Sequence, residues 1–188
     1  MSDATIDPAP GARAEPACRP LGGQPPFESE SLDRFFAGRH VAVLGYLRSD
    51  GRPHQAPIWY THHAGRFHLT TLTGSPKHRA LRRDPRISLT VQDERPPYRA
   101  VIVSGRAELR PLDPGDDPTE GMAIRYFGRA AAGAYERMMR STWDAQGLTL
   151  VTLAPEEVMG FDNTRAMTAS QRAFLRLREW LPLPRAWL

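Results

Sequence analysis

The chain has 188 residues, 40% hydrophobic and 24% charged, with a formal net charge of +4. This is enough for one domain that buries about 70% of its unfolded surface, so neither staples nor metals are needed to hold a core. Cys18 is the single cysteine, which excludes an internal disulfide. No apolar run reaches membrane-spanning length, and the first residues lack the charged-then-apolar order of a secretory signal. The expectation is therefore a cytoplasmic protein without a membrane partner.

Residues 1–26 are rich in Pro, Ala and Gly without apolar periodicity and read as a disordered leader. The segment Ser31 to Phe36 reads as a short helix, capped by Ser29 or Ser31 and stopped at Gly38. The period then changes to two: Val41, Val43 and Leu47 alternate with Ala42, Leu44 and Tyr46, as in a strand with two useful faces. Asp50-Gly51 supplies a tight turn into Pro53–Tyr60, and Ala64-Gly65 a second turn into Arg66–Leu72. Three successive antiparallel strands predict a meander. Ile87–Val91, a long Tyr98–Leu109 and Leu148–Leu153 add strands. Residues 119–144 read as helical, with Met122, Tyr126, Met138 and Met139 as apolar positions. The acidic stretch Asp113 to Glu120 reads as a solvated loop, a candidate lid. Mostly antiparallel strands with few helices predict a β-barrel or sandwich.

The C-terminal segment 164–188 carries Arg165, Arg172, Arg176, Arg178 and Arg185 against Glu179. Ala173, Phe174, Leu177, Trp180 and Leu181 share one helical face and Arg172 and Arg176 another, so the segment reads as an amphipathic helix packing on the barrel or a partner subunit. A basic helix alone is a weak nucleic-acid signal, and nucleic acid is disfavoured as a partner. The sharper reading gives those arginines an anionic cofactor tail or acidic substrate to meet.

The chemistry concentrates after the third strand, at Thr71, Thr73, Gly74, Ser75, Pro76 and Lys77. Ser75 suits an N-cap and Pro76 the first helical position, with a basic helix from His78 to Arg83 closed before Pro85. A helix N-terminus offers free N–H groups and partial positive charge to an anion. Lys77 adds a full charge and Arg79 a second, so the cluster reads as a phosphate cradle. Among 25 basic residues Lys77 is the single lysine, and a compact ammonium meets phosphate as a point charge where a guanidinium meets it as a planar fork.

Other constellations carry less. His54, His62, His63 and His68 cluster in one hairpin, but His62 and His63 are adjacent at its tip and point to opposite faces of a strand. No Cys, Asp or Glu spacing completes a metal or haem site, so neither is expected. No dinucleotide fingerprint or nucleophile–base motif is visible.

The stretch Phe35 to Leu109 resembles the flavin/deazaflavin oxidoreductases of the pyridoxamine 5′-phosphate oxidase-like superfamily, in the branch that uses coenzyme F-420. The resemblance rests on ordered pieces: Val41-Ala42-Val43-Leu44, Asp50-Gly51-Arg52-Pro53-His54, Pro57-Ile58-Trp59, Ser75-Pro76-Lys77, Leu81-Arg82-Arg83-Asp84-Pro85-Arg86, Pro97-Tyr98 and Val103-Ser104-Gly105-Arg106-Ala107. It implies a Greek-key split β-barrel of the FMN-binding type over residues 27–163, and a homodimer with the cofactor in a groove at the subunit interface. It implies that Lys77, with Ser75 and Thr73, meets the cofactor phosphate, and that Arg52 and His54 lie under phosphate and ring. Pro57, Ile58 and Trp59 would present backbone to the ring, and Tyr98 would line it from the partner. Thr71 and Arg79 complete the expected cofactor set. The activity implied is hydride transfer with F-420 to or from a small organic substrate. FMN-dependent chemistry and non-enzymatic haem or flavin binding are the alternatives. Tyr60, Tyr98 and His54 are the candidate proton donors, although Tyr60 and Tyr98 read also as barrel aromatics, and Trp59 reads more as core than as a ring-stacking residue. Ala80 departs from the family, which often has Asn there, and the recognised C-terminal signature of the phosphate oxidases themselves is absent from Leu181–Leu188.

Overall fold

The computed structural model describes residues 16–180 apart from 114 and 116, with side chains described to residue 174. Among these residues the chain runs β1 (Arg19–Pro20), α1 (Ser29–Phe36), β2 (Ala42–Leu47), β3 (Pro53–Ile58), β4 (Thr61–His63), β5 (Arg66–Leu72), α2 (Pro76–Arg83), β6 (Arg86–Gln92) and β7 (Arg99–Pro111). It continues through α3 (Met122–Phe127), α4 (Arg129–Gln146), β8 (Leu148–Leu153), β9 (Glu157–Asp162), a 3-10 turn at Asn163–Ala166, and α5 (Ala169–Trp180).

The strands order β3-β2-β6-β7-β8-β5-β4, with β9 on the first half of β7 and β1 on β9. The long β7 belongs to both sheets. Its residues Arg99–Ser104 pair with β9, and Ala107–Pro111 pair with β8. Gly105 sits where the neighbour changes. A Cβ there would fall 2.8 Å from the Ala154 carbonyl oxygen, so the close approach needs glycine. This two-sheet wrap around one core is a split β-barrel. Its core is built from alternate strand residues, including Phe67 and Leu69 of β5, Leu89 and Val91 of β6, Val101 and Val103 of β7 and Leu153 of β8, with Phe35 and Phe36 from α1 closing one end.

Both turns form as the sequence requires, with positive φ at Gly51, Ala64 and Gly65. The predicted meander does not form. β2 pairs β3 and β4 pairs β5, but β3 is an edge strand and β5 lies on β8. The chain crosses between sheets at Trp59-Tyr60, where Tyr60 plunges into the core with no exposed surface. Strand β9 was not expected from sequence. The leader expected through residue 26 is corrected at its end: β1 pairs parallel with Met159 and Gly160, and the Asp162 N–H donates to the Pro25 carbonyl at 2.8 Å. Residues 1–15 lie outside the described residues. In α1 neither serine caps. Glu28 holds that position without a side-chain bond. The helical region 119–144 is two helices broken at Gly128 (φ +80°), and Met138 is exposed rather than apolar core. Part of the acidic loop is anchored, since Thr61 Oγ1 donates to the Pro118 carbonyl at 2.8 Å and Thr119 is buried. The C-terminal helix is shorter than 164–188 at its start, and Phe174 is 65% exposed, so that residue does not pack on the barrel. Leu181 lies outside the described residues. No described helix is long and apolar enough to cross a membrane.

Candidate functional site

The cradle is built at the end of β5. Ser75 caps α2 as expected: its Oγ accepts the His78 N–H at 3.1 Å, with Pro76 in the first turn. Thr71 is buried behind it, with Oγ1 3.2 Å from Ser75 Oγ. Thr71 therefore positions the serine instead of facing a ligand. Thr73 is exposed and its hydroxyl lies 2.8 Å from that of Thr149 on β8, which ties the loop to the second sheet. His78, which the sequence reading passed over, braces the loop as well: its Nδ1 accepts the Gly74 N–H at 3.0 Å.

Lys77 lies one turn ahead of buried Leu81, on the helix face turned to the barrel. Its stem is half-buried, and desolvation lowers its pKa from the ordinary lysine value. No acceptor meets its ammonium among the described residues. A desolvated, unpaired cation beside a helix N-terminus is unfavourable unless an anion joins it. The residues present thus fit a phosphate. Arg79 donates to the Gly74 carbonyl and leaves the rest of its exposed guanidinium free.

Beside α2 is a cavity of about 460 Å³ lined by Arg48, Arg79, Arg83, His54, Tyr46 and Ser49 among others. Its three guanidiniums make it basic. Arg83 is fixed by a 2.8 Å bond to the Leu47 carbonyl. His54 packs against Tyr46 with ring centroids 5.2 Å apart. Arg52 does not join this wall: it is exposed beside Asp50, with Nε 3.9 Å from the carboxylate. Arg48, which the sequence reading did not single out, stands there instead.

A second cleft of about 250 Å³ brings Pro57, Ile58 and Trp59 together with Thr70 of β5, Met122 and Tyr135. The predicted backbone segment thus faces the other sheet across the split. Trp59 is held by the inserted helices: it stacks on Tyr126 at 4.8 Å and 9°, and packs on Phe127 and Tyr135 at 5.1 and 5.2 Å. The insert is itself clamped. Arg125 donates to the Phe36 carbonyl at 2.6 Å, the Tyr60 carbonyl at 3.1 Å and the Gly38 carbonyl, with its guanidinium 4.6 Å over the Tyr60 ring. Nothing in the sequence marked Arg125, because its three acceptors are backbone carbonyls.

Tyr60 is corrected as a proton donor. It is fully buried, its hydroxyl donates to the Phe36 carbonyl at 3.0 Å, and burial pushes its pKa well above the ordinary value. Tyr98 is 51% exposed just ahead of β7. The histidines do not converge. His54 is on Tyr46, His62 on Phe36 and Phe67, and only His63 and His68 stack, at 4.4 Å. Among the described residues no group of three or more His, Cys, Asp or Glu could hold a metal.

The two sheets sharing β7 define a split β-barrel, with the helix start of Ser75, Pro76 and Lys77 at the end of β5. A family model described as pyridoxamine 5′-phosphate oxidase matches residues 29–162, from the first residue of α1 to the last of β9, and the chain belongs to that family. No curated protein matches it. Among solved structures it is similar to a conserved hypothetical protein from Mycobacterium tuberculosis, at 23% identity and a TM-score of 0.61, covering 76% of this chain and 92% of that one. It is similar to a heme storage protein from Vibrio cholerae, at 12% identity and a TM-score of 0.50, covering 69% and 92%. A protein of unknown function from Agrobacterium tumefaciens gives 17% identity and a TM-score of 0.50, covering 76% and 60%. These likenesses concern the fold.

Proposed function

We propose that this protein is an oxidoreductase that holds a flavin-type cofactor by its phosphate at Lys77 and lays the ring in the cleft of Pro57, Ile58 and Trp59. The carrying observation is half-buried Lys77 at the N-terminus of α2, whose ammonium has no acceptor among the described residues. Ser75 and Thr73 add hydroxyls, and Arg79, Arg48 and His54 add a basic wall along the phosphate-bearing side. Charge-assisted bonds of this kind contribute roughly 1.5–3 kcal/mol each. Coenzyme F-420 is the cofactor proposed, on the ordered sequence pieces. FMN is the second reading, favoured by the family match, because it too carries a phosphate on its ribityl chain.

When bound, the cofactor supplies hydride transfer to or from a small organic molecule. The chain's own work is then orientation and exclusion of water. Trp59 and Tyr135 give the cleft an aromatic wall, with Tyr126 stacked on Trp59. Tyr98 and His54, both exposed, remain the proposed proton donors. A homodimer completes the proposal: β3 is an edge strand whose Pro53, His54 and Gln55 are all exposed, and a second copy would cover it and bring Tyr98 to the ring. The proposed location is the cytoplasm.

Titration of the purified protein with F-420 and with FMN, followed by cofactor absorbance and fluorescence, tests the reading. Saturable binding of F-420 that is tighter than that of FMN is expected. Tighter FMN binding selects the second reading, and binding of neither overturns both.

A further inference from the structure

A cavity of about 600 Å³ lies at the far end of β2 and β6 from α2, and none of the residues proposed to hold the cofactor lines it. Strand β6 runs seven residues from Arg86 to Gln92, so its two ends stand about 20 Å apart. Its walls come from the segment entering β2, the turn between β6 and β7, and the residues after β9.

The charges in it do not cancel. Arg39, Arg95, Arg99 and Arg172 face Asp93 and Glu94. The Asp93 carboxylate is already engaged by Arg99 Nε at 2.6 Å, with His40 Nδ1 3.6 Å away. Arg99 is fixed there with its guanidinium 4.8 Å over the Phe35 ring. Burial lowers the His40 pKa, partly opposed by Asp93, so the ring adds no charge near neutrality. Arg172 donates to the Thr164 carbonyl at 3.1 Å and to that of Met167. Arg39 and Arg95 are exposed and have no acceptor among the described residues. Val41 lines both this cavity and the cleft of Trp59, so the two spaces adjoin. A volume of this size suits a small organic molecule.

We propose that this cavity receives the carboxylate or phosphate group of an organic anion, bound by Arg39 and Arg95, whose apolar part reaches past Val41 toward Trp59. Given the oxidoreductase reading above, on which this assignment rests, that anion is the substrate. Two forked guanidiniums facing one opening suit a planar carboxylate or a phosphate ester.

The test uses benzoate and phenyl phosphate as anionic probes and benzamide as the neutral one, by calorimetry on the full chain with and without saturating FMN. Either anion is expected to bind at least tenfold tighter than benzamide. Arg39→Gln combined with Arg95→Gln should reduce benzoate binding to the benzamide level, with an unchanged melting temperature because both side chains are exposed. Lys77→Ala should leave benzoate binding unaltered, and saturating FMN should not abolish it. The proposal is overturned if neither anion outbinds benzamide, if the double variant binds benzoate as the wild type does, or if Lys77→Ala or FMN abolishes benzoate binding. Failure of FMN and F-420 to bind the wild type would remove the cofactor reading while the probe comparison still decides the anion site.

Discussion

His68 offers a quantitative test of the packing that carries the cradle, because it lies on β5 three residues before Thr71. It is buried, its Nδ1 lies 3.3 Å from Thr152 Oγ1, and its Nε2 has no partner among the described residues. Burial, followed by the charges of His63, Arg66, His62 and Arg110, pushes its pKa from 6.5 down to about 4. The unfolded chain therefore binds a proton as pH falls through about 6.5, and the folded chain does so only near 4. Native stability is highest above pH 6.5 and is lost progressively between 6.5 and 4. At 1.36 kcal/mol per pH unit the full loss is at most about 3 kcal/mol. Urea unfolding from pH 7.5 to 4 measures it, and His68→Gln isolates it from the acidic groups that titrate in the same range. The wild type should lose up to about 3 kcal/mol more than the variant across that window. Parallel pH profiles for the two proteins would refute the assignment of a neutral, buried imidazole.

Gly105→Ala should destabilise the barrel by about 1–3 kcal/mol in chemical denaturation, because the new methyl must displace the Ala154 carbonyl or Leu153. An unchanged midpoint would contradict the close approach at the β7 switch. Arg125→Ala should cost about 3 kcal/mol or more, since it strips the donor from the Phe36, Gly38 and Tyr60 carbonyls at once. The same variant should increase the solvent exposure of Trp59, read as a red shift in tryptophan emission, because the helix bearing Tyr126 loses its clamp.

The cradle was legible because its chemistry is local. Ser75, Pro76 and Lys77 announce a helix start within three residues, and the two glycine-bearing turns announce hairpins. The features the sequence hid are those that depend on distant pairing. β9 places Val158, Gly160 and Asp162 inward, and a glycine and an aspartate conceal the apolar alternation. The crossover at Trp59-Tyr60 follows a continuous strand pattern, so only the pairing of β5 with β8 reveals it. His40, Asp93 and Arg99 converge because the β2–β6–β7 register brings them to one end of the sheet, although they stand far apart in the chain. The family resemblance implies Arg52 under the phosphate, yet its side chain is exposed beside Asp50.

The central claim is that Lys77 recognises a phosphate, and the comparison of FMN with riboflavin tests it most directly, since the two differ only in that group. Equilibrium dialysis of each against the wild type and Lys77→Ala should show FMN favoured by the wild type. That preference should fall by roughly 10- to 150-fold in the variant, the loss of one charge-assisted contact, with riboflavin affinity unchanged. Equal loss of affinity for both ligands, or a phosphate preference that survives without Lys77, would contradict the account.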